Sequence, residues 1–270
     1  MVAIENVAFV FVAGLLTAIA TGLGALPFFL VDDFSDRWNV ALWGLASGIM
    51  VAASLFGLVR EGLAYGSAAL LVPGVLAGVA LVEAADRLLA GYDHSPKQFE
   101  QAGYKKLLLI LGILTVHSFP EGVAVGVSFA ELGLAGVPPA ETVVVYGVTL
   151  PVLAVFMTVA ISIHNVPEGT AIAIPLRSLG VSEWRMVWWA IFSSLPQPLG
   201  AVVAYYFVTL AKAFLPFGFG FAAGAMVYLV VTEFVPEALE HGRELEHGGK
   251  PELTAGVVVG ALAMVPLAFV

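Results

Sequence analysis

Residues 46–63 read ASGIMVAASLFGLVREGL, and residues 222–239 read AAGAMVYLVVTEFVPEAL. Aligned at an offset of 176, Ala46, Gly48, Met50, Val51, Val59, Glu61 and Leu63 fall on identical residues. The same offset sets Leu23, Gly24 and Ala25 on Leu199, Gly200 and Ala201. Each copy is an apolar run of roughly 20 residues, the length that crosses about 30 Å of hydrocarbon as a helix.

Further apolar runs flank both copies, at 6–31, 39–64, 68–90, 105–130, 143–176, 184–211, 215–239 and 252–270, so eight transmembrane helices are expected. The chain is 270 residues, 60% hydrophobic and 11% charged, with a mean hydropathy of +0.98, which excludes an ordinary water-soluble domain. The whole chain, 1–270, reads as a single all-α polytopic membrane domain with lipid as its solvent. Copies five helices apart cross in opposite directions. Helices 1–3 and 6–8 therefore form an inverted repeat, with its two-fold axis in the membrane plane, around helices 4 and 5.

No cysteine is present, which excludes disulfides, thiolate metal sites and iron–sulfur clusters. The formal charge of −9 leaves no footprint for nucleic acid. The opening MVAIEN lacks a basic n-region, so the first run is expected to be a retained helix rather than a signal peptide. Orientation follows from the basic residues, because short cytoplasmic loops retain positive charge. With the N-terminus outside, Arg37, Arg87, Lys97, Lys105, Lys106, Arg177, Arg185, Arg243 and Lys250 lie inside, against Arg60 and Lys212 outside. A multi-pass cell-membrane protein with both termini extracytoplasmic is the expectation.

Between the repeats, HSFPEGVA at 117–124 answers HNVPEGTA at 164–171. In each motif the His and Glu are four apart, His117 with Glu121 and His164 with Glu168, so both project from one helix face. Pro120 and Pro167 cannot donate to the carbonyls of Val116 and Ile163, which predicts a kink beside each His. Ionisable groups at this depth are costly unless paired, coordinated or hydrated. A divalent cation answers the need on both helices together. Two neutral imidazoles and two carboxylates supply four N/O ligands whose charge cancels that of Zn²⁺. Cd²⁺, Fe²⁺ and Mn²⁺ are alternatives.

These motifs resemble the signatures of the ZIP (Zrt/Irt-like) metal-ion transporters. The resemblance continues in TGLGALPFF (21–29), ASGIM (46–50), DRLL (86–89), LPQPLGA (195–201) and GAMVYLVVTEFVPEA (224–238). It implies an eight-helix fold enclosing helices 4 and 5, and divalent metal movement toward the cytoplasm. It also implies a primary site of His117, Glu121, His164 and Glu168, approached by Met50. The chain departs from the family pattern at Ser118, where Asn is usual, at Asn165, where Asp or Asn is found, and at Gln197, where a Glu often completes a second site. One tightly held ion is expected. Beyond the transported metal no cofactor is implied; the partners are that ion and membrane lipids, and a homodimer is compatible with this reading.

Lower-ranked polar groups are Glu83 and Asp86 at the end of helix 3, Glu233 within helix 7, and the loop residues Glu240, His241, Glu244, Glu246 and His247. The spacings Gly44/Gly48, Gly74/Gly78, Gly122/Gly126, Gly220/Gly224 and Gly256/Gly260 predict close helix contacts. The competing function is an intramembrane metal-dependent hydrolase. It would need an open coordination position and a spare base, and HExxH does not occur.

Overall fold

The computed structural model describes residues 4–31, 35–66, 68–89, 118–133, 142–145 and 147–266. Helix α1 (Ile4–Leu23) gives way at Gly24 to a short 3-10 turn, Leu26–Phe29, carrying Pro27 in its first turn. A continuous rod follows: α2 (Asp36–Ala52), a π-helical segment (Ala53–Val59) and α3 (Arg60–Tyr65). Next come α4 (Ala68–Leu89), α5 (118–128) and α6 (Val152–Ser178). Helix α7 (Glu183–Ser193) breaks at Ser194 and Leu195 before Pro196 opens α8 (Pro196–Leu210). Helix α9 (Leu215–Leu229) runs through a second π segment (Val230–Phe234) into α10 (Val235–His241), and α11 (Lys250–Ala263) follows.

Among the described residues, six helical stretches are long and apolar enough to span a membrane. They are Ile4–Phe29, Asp36–Tyr65, Ala68–Ala85, Val152–Ile174, Glu183–Leu210 and Lys212–Glu244. Helices α5 and α11 fall within the other two expected runs, and their described parts are shorter than the six. Outward faces carry large apolar side chains such as Leu76, Leu199 and Leu262, each about 60% exposed, a surface suited to hydrocarbon.

One expected boundary is corrected. The fifth helix begins at Val152, not at 143, because Thr142–Val145 pairs antiparallel with Val148–Pro151 in a two-residue hairpin. Its β-branched run favours strand, and Gly147 at φ 82° supplies the turn.

The inverted repeat is visible in the packing. The two most extensive helix pairs are α4 with α9 and α2 with α11, the same pairing in the two copies. In α2, a Cβ on Gly44 or Gly48 would lie 2.4 or 2.2 Å from the carbonyl oxygens of Leu253 and Val257. In α9, Gly220 and Gly224 meet those of Leu71 and Val75, at 2.3 Å each. The partner glycines reciprocate: Gly256 and Gly260 face Ala41 and Leu45, while Gly74 and Gly78 face Phe217 and Phe221. Lipid gives helices no hydrophobic reason to associate, so backbone approach of this kind is what holds them. The π segments coincide as well: residues 54–58 map onto 230–234 at the offset of 176.

Candidate metal centre

The two Pro-Glu-Gly motifs lie on α5 and α6, and the outer members of the repeat grip them in matching ways. A Cβ on Gly24 would lie 2.1 Å from the Val166 oxygen, and one on Gly169 would lie 1.7 Å from the Thr21 oxygen, so α1 presses on α6. One copy on, Gly200 meets the Phe119 oxygen and Gly122 the Gln197 oxygen, so α8 presses on α5. The motif glycine is thus the point of backbone contact that fixes the preceding Glu in space. Sequence reasoning missed this for Gly169, although the match of Gly24 with Gly200 was a signal for it.

Glu121, His164 and Glu168 converge. One potential ligand atom from each lies within 4.8 Å of the others, and all three residues are buried, at 1%, 0% and 2% exposure. His164 Nε2 stands 3.1 Å from Glu121 Oε1. Glu168 is flanked by the carboxylates of Glu121 and Glu233. His117, expected as the fourth ligand, lies outside the described residues. Met50 is fully buried on α2, which packs against α6.

A polar relay supports the cluster from behind. Gln197 donates its amide to Glu121 Oε2 and accepts from Asn165 Nδ2 at 3.1 Å. Asn165 also donates to the Thr17 carbonyl at 2.8 Å. Nearby, Thr21 donates to Ser194 Oγ at 2.8 Å, across the break between α7 and α8. None of these bonds was legible in the sequence, because each joins residues far apart in the chain.

Four atoms in this group have no hydrogen-bond partner among the described residues: Ser118 Oγ, His164 Nδ1, Asn165 Oδ1 and Glu168 Oε2. Burying an unpaired polar atom costs roughly 1–3 kcal/mol, and a charged one costs more. Two carboxylates and an imidazole held together without a counter-charge form a set that a dication stabilises, and the ligand types suit zinc.

The lower-ranked groups are differently engaged. Glu83 accepts from Tyr228 and from Arg87, the latter at 2.6 Å, so it has structural partners; the Asp86 side chain lies outside the described residues. His241 pairs with Glu237 at 3.3 Å, and His247 with Glu246 at 3.7 Å. The remaining loop residues, Glu240 and Glu244, join no described cluster of metal-ligating groups.

Comparison with known proteins places the chain among metal transporters. A family model described as ZIP Zinc transporter matches residues 151–268. The zinc transporter GufA of Myxococcus xanthus is 34% identical over 247 residues, 87% of this chain and 90% of the relative. The zinc transporter ZIPB of Bordetella bronchiseptica is 34% identical over 83% of this chain and 71% of its own length. A longer protein of Arabidopsis thaliana is 40% identical over 83% of this chain, which spans 33% of that relative.

Proposed function

The chain belongs to the ZIP zinc transporter family, and from that premise we propose that its ion is carried through the buried cluster of Glu121, His164 and Glu168. It is a multi-pass membrane transporter of divalent metal ions, Zn²⁺ foremost, rather than a hydrolase. The observation that supports the site is the convergence of two carboxylates and an imidazole, with His164 Nδ1 and Glu168 Oε2 unpaired among the described residues and both on a helix long enough to cross a membrane.

His117 completes the set in this reading, four residues before Glu121 as His164 is before Glu168, and Met50 approaches from α2. The site takes one ion. Two carboxylates balance one dication, while Ser118, Asn165 and Gln197 add only neutral groups, and the Gln197 amide already occupies Glu121 Oε2. Even with Glu233 beside Glu168, three carboxylates fall short of the four positive charges of two dications in a low-dielectric interior.

Transport runs toward the cytoplasm, with both termini outside. Helices α5 and α6 move relative to the repeats that grip them, so that the site faces each side in turn. Metal uptake into sealed vesicles, with a competition series of Zn²⁺, Cd²⁺, Fe²⁺ and Mn²⁺, tests the function. Saturable uptake led by Zn²⁺ and lost in Glu121→Ala is the expected result. Undiminished uptake in that variant would remove the cluster from the route.

A further inference from the structure

Among the described residues, two aromatic side chains stand between the central cluster and the end of the bundle that carries Arg37. Phe234 closes the second π segment, and its ring lies 6.5 Å from that of His164, centroid to centroid. Trp43 of α2 meets Phe234 edge-on at 4.8 Å and 67°. Both are buried, at 6% exposure. About one and two helical turns further along α10, Glu237 and His241 are partly exposed, with His241 Nδ1 3.3 Å from Glu237 Oε1. The polar mouth therefore begins where the aromatic layer stops.

At the offset of 176, Trp43 corresponds to Phe219 and Phe234 to Leu58. Phe219 and Leu58 are buried to 2% and 0% on the opposite side of the site, where Phe219 stacks on Tyr65 at 6.1 Å. Leu58 and Phe234 sit in the two π segments. The repeat thus relates the aromatic pair beside His164 to a second buried apolar pair in the other half.

We propose that Trp43 and Phe234 form the gate that closes the metal's route on the Arg37 side, and that Leu58 and Phe219 form its counterpart on the other. A π turn holds one residue more than an α turn, so converting one into the other rotates everything beyond it by about 100°. That rotation carries the Phe234 ring off His164 and opens the layer. Closure has a cost that favours reopening: the Trp43 indole N–H is buried with no acceptor among the described residues. The gate rests on the reading of Glu121, His164 and Glu168 as the metal's seat.

The chain has no cysteine, so single thiols report access cleanly. Val230→Cys lies about one turn from Phe234 on the site side, at 4% exposure; Ser54→Cys is its repeat counterpart, at 0%. Each is labelled in sealed vesicles, from each side in turn, with a small impermeant thiol reagent and no metal present. Val230→Cys is expected to resist reagent from the Arg37 side. Adding Phe234→Ala or Trp43→Ala should speed its labelling on the order of tenfold, the shift expected when an aromatic pair holding a closed state is deleted. Trp43→Phe should retain protection, and Ser54→Cys should label no faster than before. If Phe234→Ala does not insert, Phe234→Leu tests the same direction. Unchanged labelling of Val230→Cys in inserted gate variants overturns the proposal, as does an equal acceleration of Ser54→Cys. Because no metal enters the measurement, its failure is distinct from failure of the transport site, which Glu121→Ala reports by uptake.

Discussion

Gln197, in the first turn of α8, donates its side-chain amide to Oε2 of Glu121 on α5. The same amide accepts from Asn165, which in turn donates to the Thr17 carbonyl, so the chain of bonds runs from α1 through α6 and α8 to α5. A neutral donor stands against the edge of Glu121 that a second cation would need.

Removing that donor should loosen the carboxylate without dismantling the fold. Gln197→Ala is expected to weaken metal binding by about tenfold, in line with roughly 1–3 kcal/mol for a buried hydrogen bond to a charged group. The double change Gln197→Glu with Asn165→Asp should instead raise the number of bound ions toward two. Equilibrium dialysis with metal counting reads both. A count of two in the unmodified protein would contradict the charge balance proposed for the site.

Glu121→Ala and Glu168→Ala should each abolish uptake in protein that still inserts and folds. Either change removes one ligand and half of the charge that compensates the ion, and both residues are at most 2% exposed, so little water can substitute. Met50→Ala should do less, shifting preference away from soft ions such as Cd²⁺. Vesicle uptake beside a thermal melt separates loss of transport from loss of fold.

Gly169→Ala and Gly122→Ala should destabilise the bundle as well as disturb the site. The added methyl would stand 1.7 Å from the Thr21 oxygen in one case and 2.1 Å from the Gln197 oxygen in the other. Backbone must move, and overpacking of this kind costs about 1–3 kcal/mol or more. A lowered melting temperature in detergent for both is the expected pattern.

Orientation is tested at Ser182, between α6 and α7, and Ala213, between α8 and α9, both exposed. Single cysteines there should label from opposite sides of intact cells, Ala213→Cys from outside. Labelling of Ser182→Cys from outside would invert the assignment drawn from the basic residues.

Much of the architecture was legible in residues 46–63 and 222–239, because helix contacts in lipid are made by small residues whose spacing survives in the sequence. Gly48 and Gly224 are 176 apart and their carbonyl partners, Val257 and Val75, are 182 apart, so the contact recurs in the two halves with a six-residue change in the connection. The hairpin at 142–151 was not legible, since an apolar β-branched run satisfies a helix-length window as readily as a strand. Of the candidate site, the convergence of Glu121, His164 and Glu168 was anticipated by the paired motifs with His and Glu four residues apart. Gln197 read only as a departure from a family pattern; its bond to Glu121 depends on how α8 crosses α5. The widening of α2 and α9 into π turns leaves no local mark either, because Leu58 and Phe234 look like any packed apolar residues.

The bond from Asn165 to the Thr17 carbonyl joins residues 148 apart. At about 5–20 residues per second of synthesis, α1 waits roughly seven to thirty seconds for its partner to leave the ribosome. Through that interval Gly24 has no backbone to press against, and the hydroxyl of Thr21 lacks Ser194. A nascent α1 is therefore an apolar segment with a polar, notched side and nothing to cover it. Its retention near the insertion machinery until α6 and α8 emerge is part of making this protein, and a ribosome-bound chain stopped before residue 164 should still be held there.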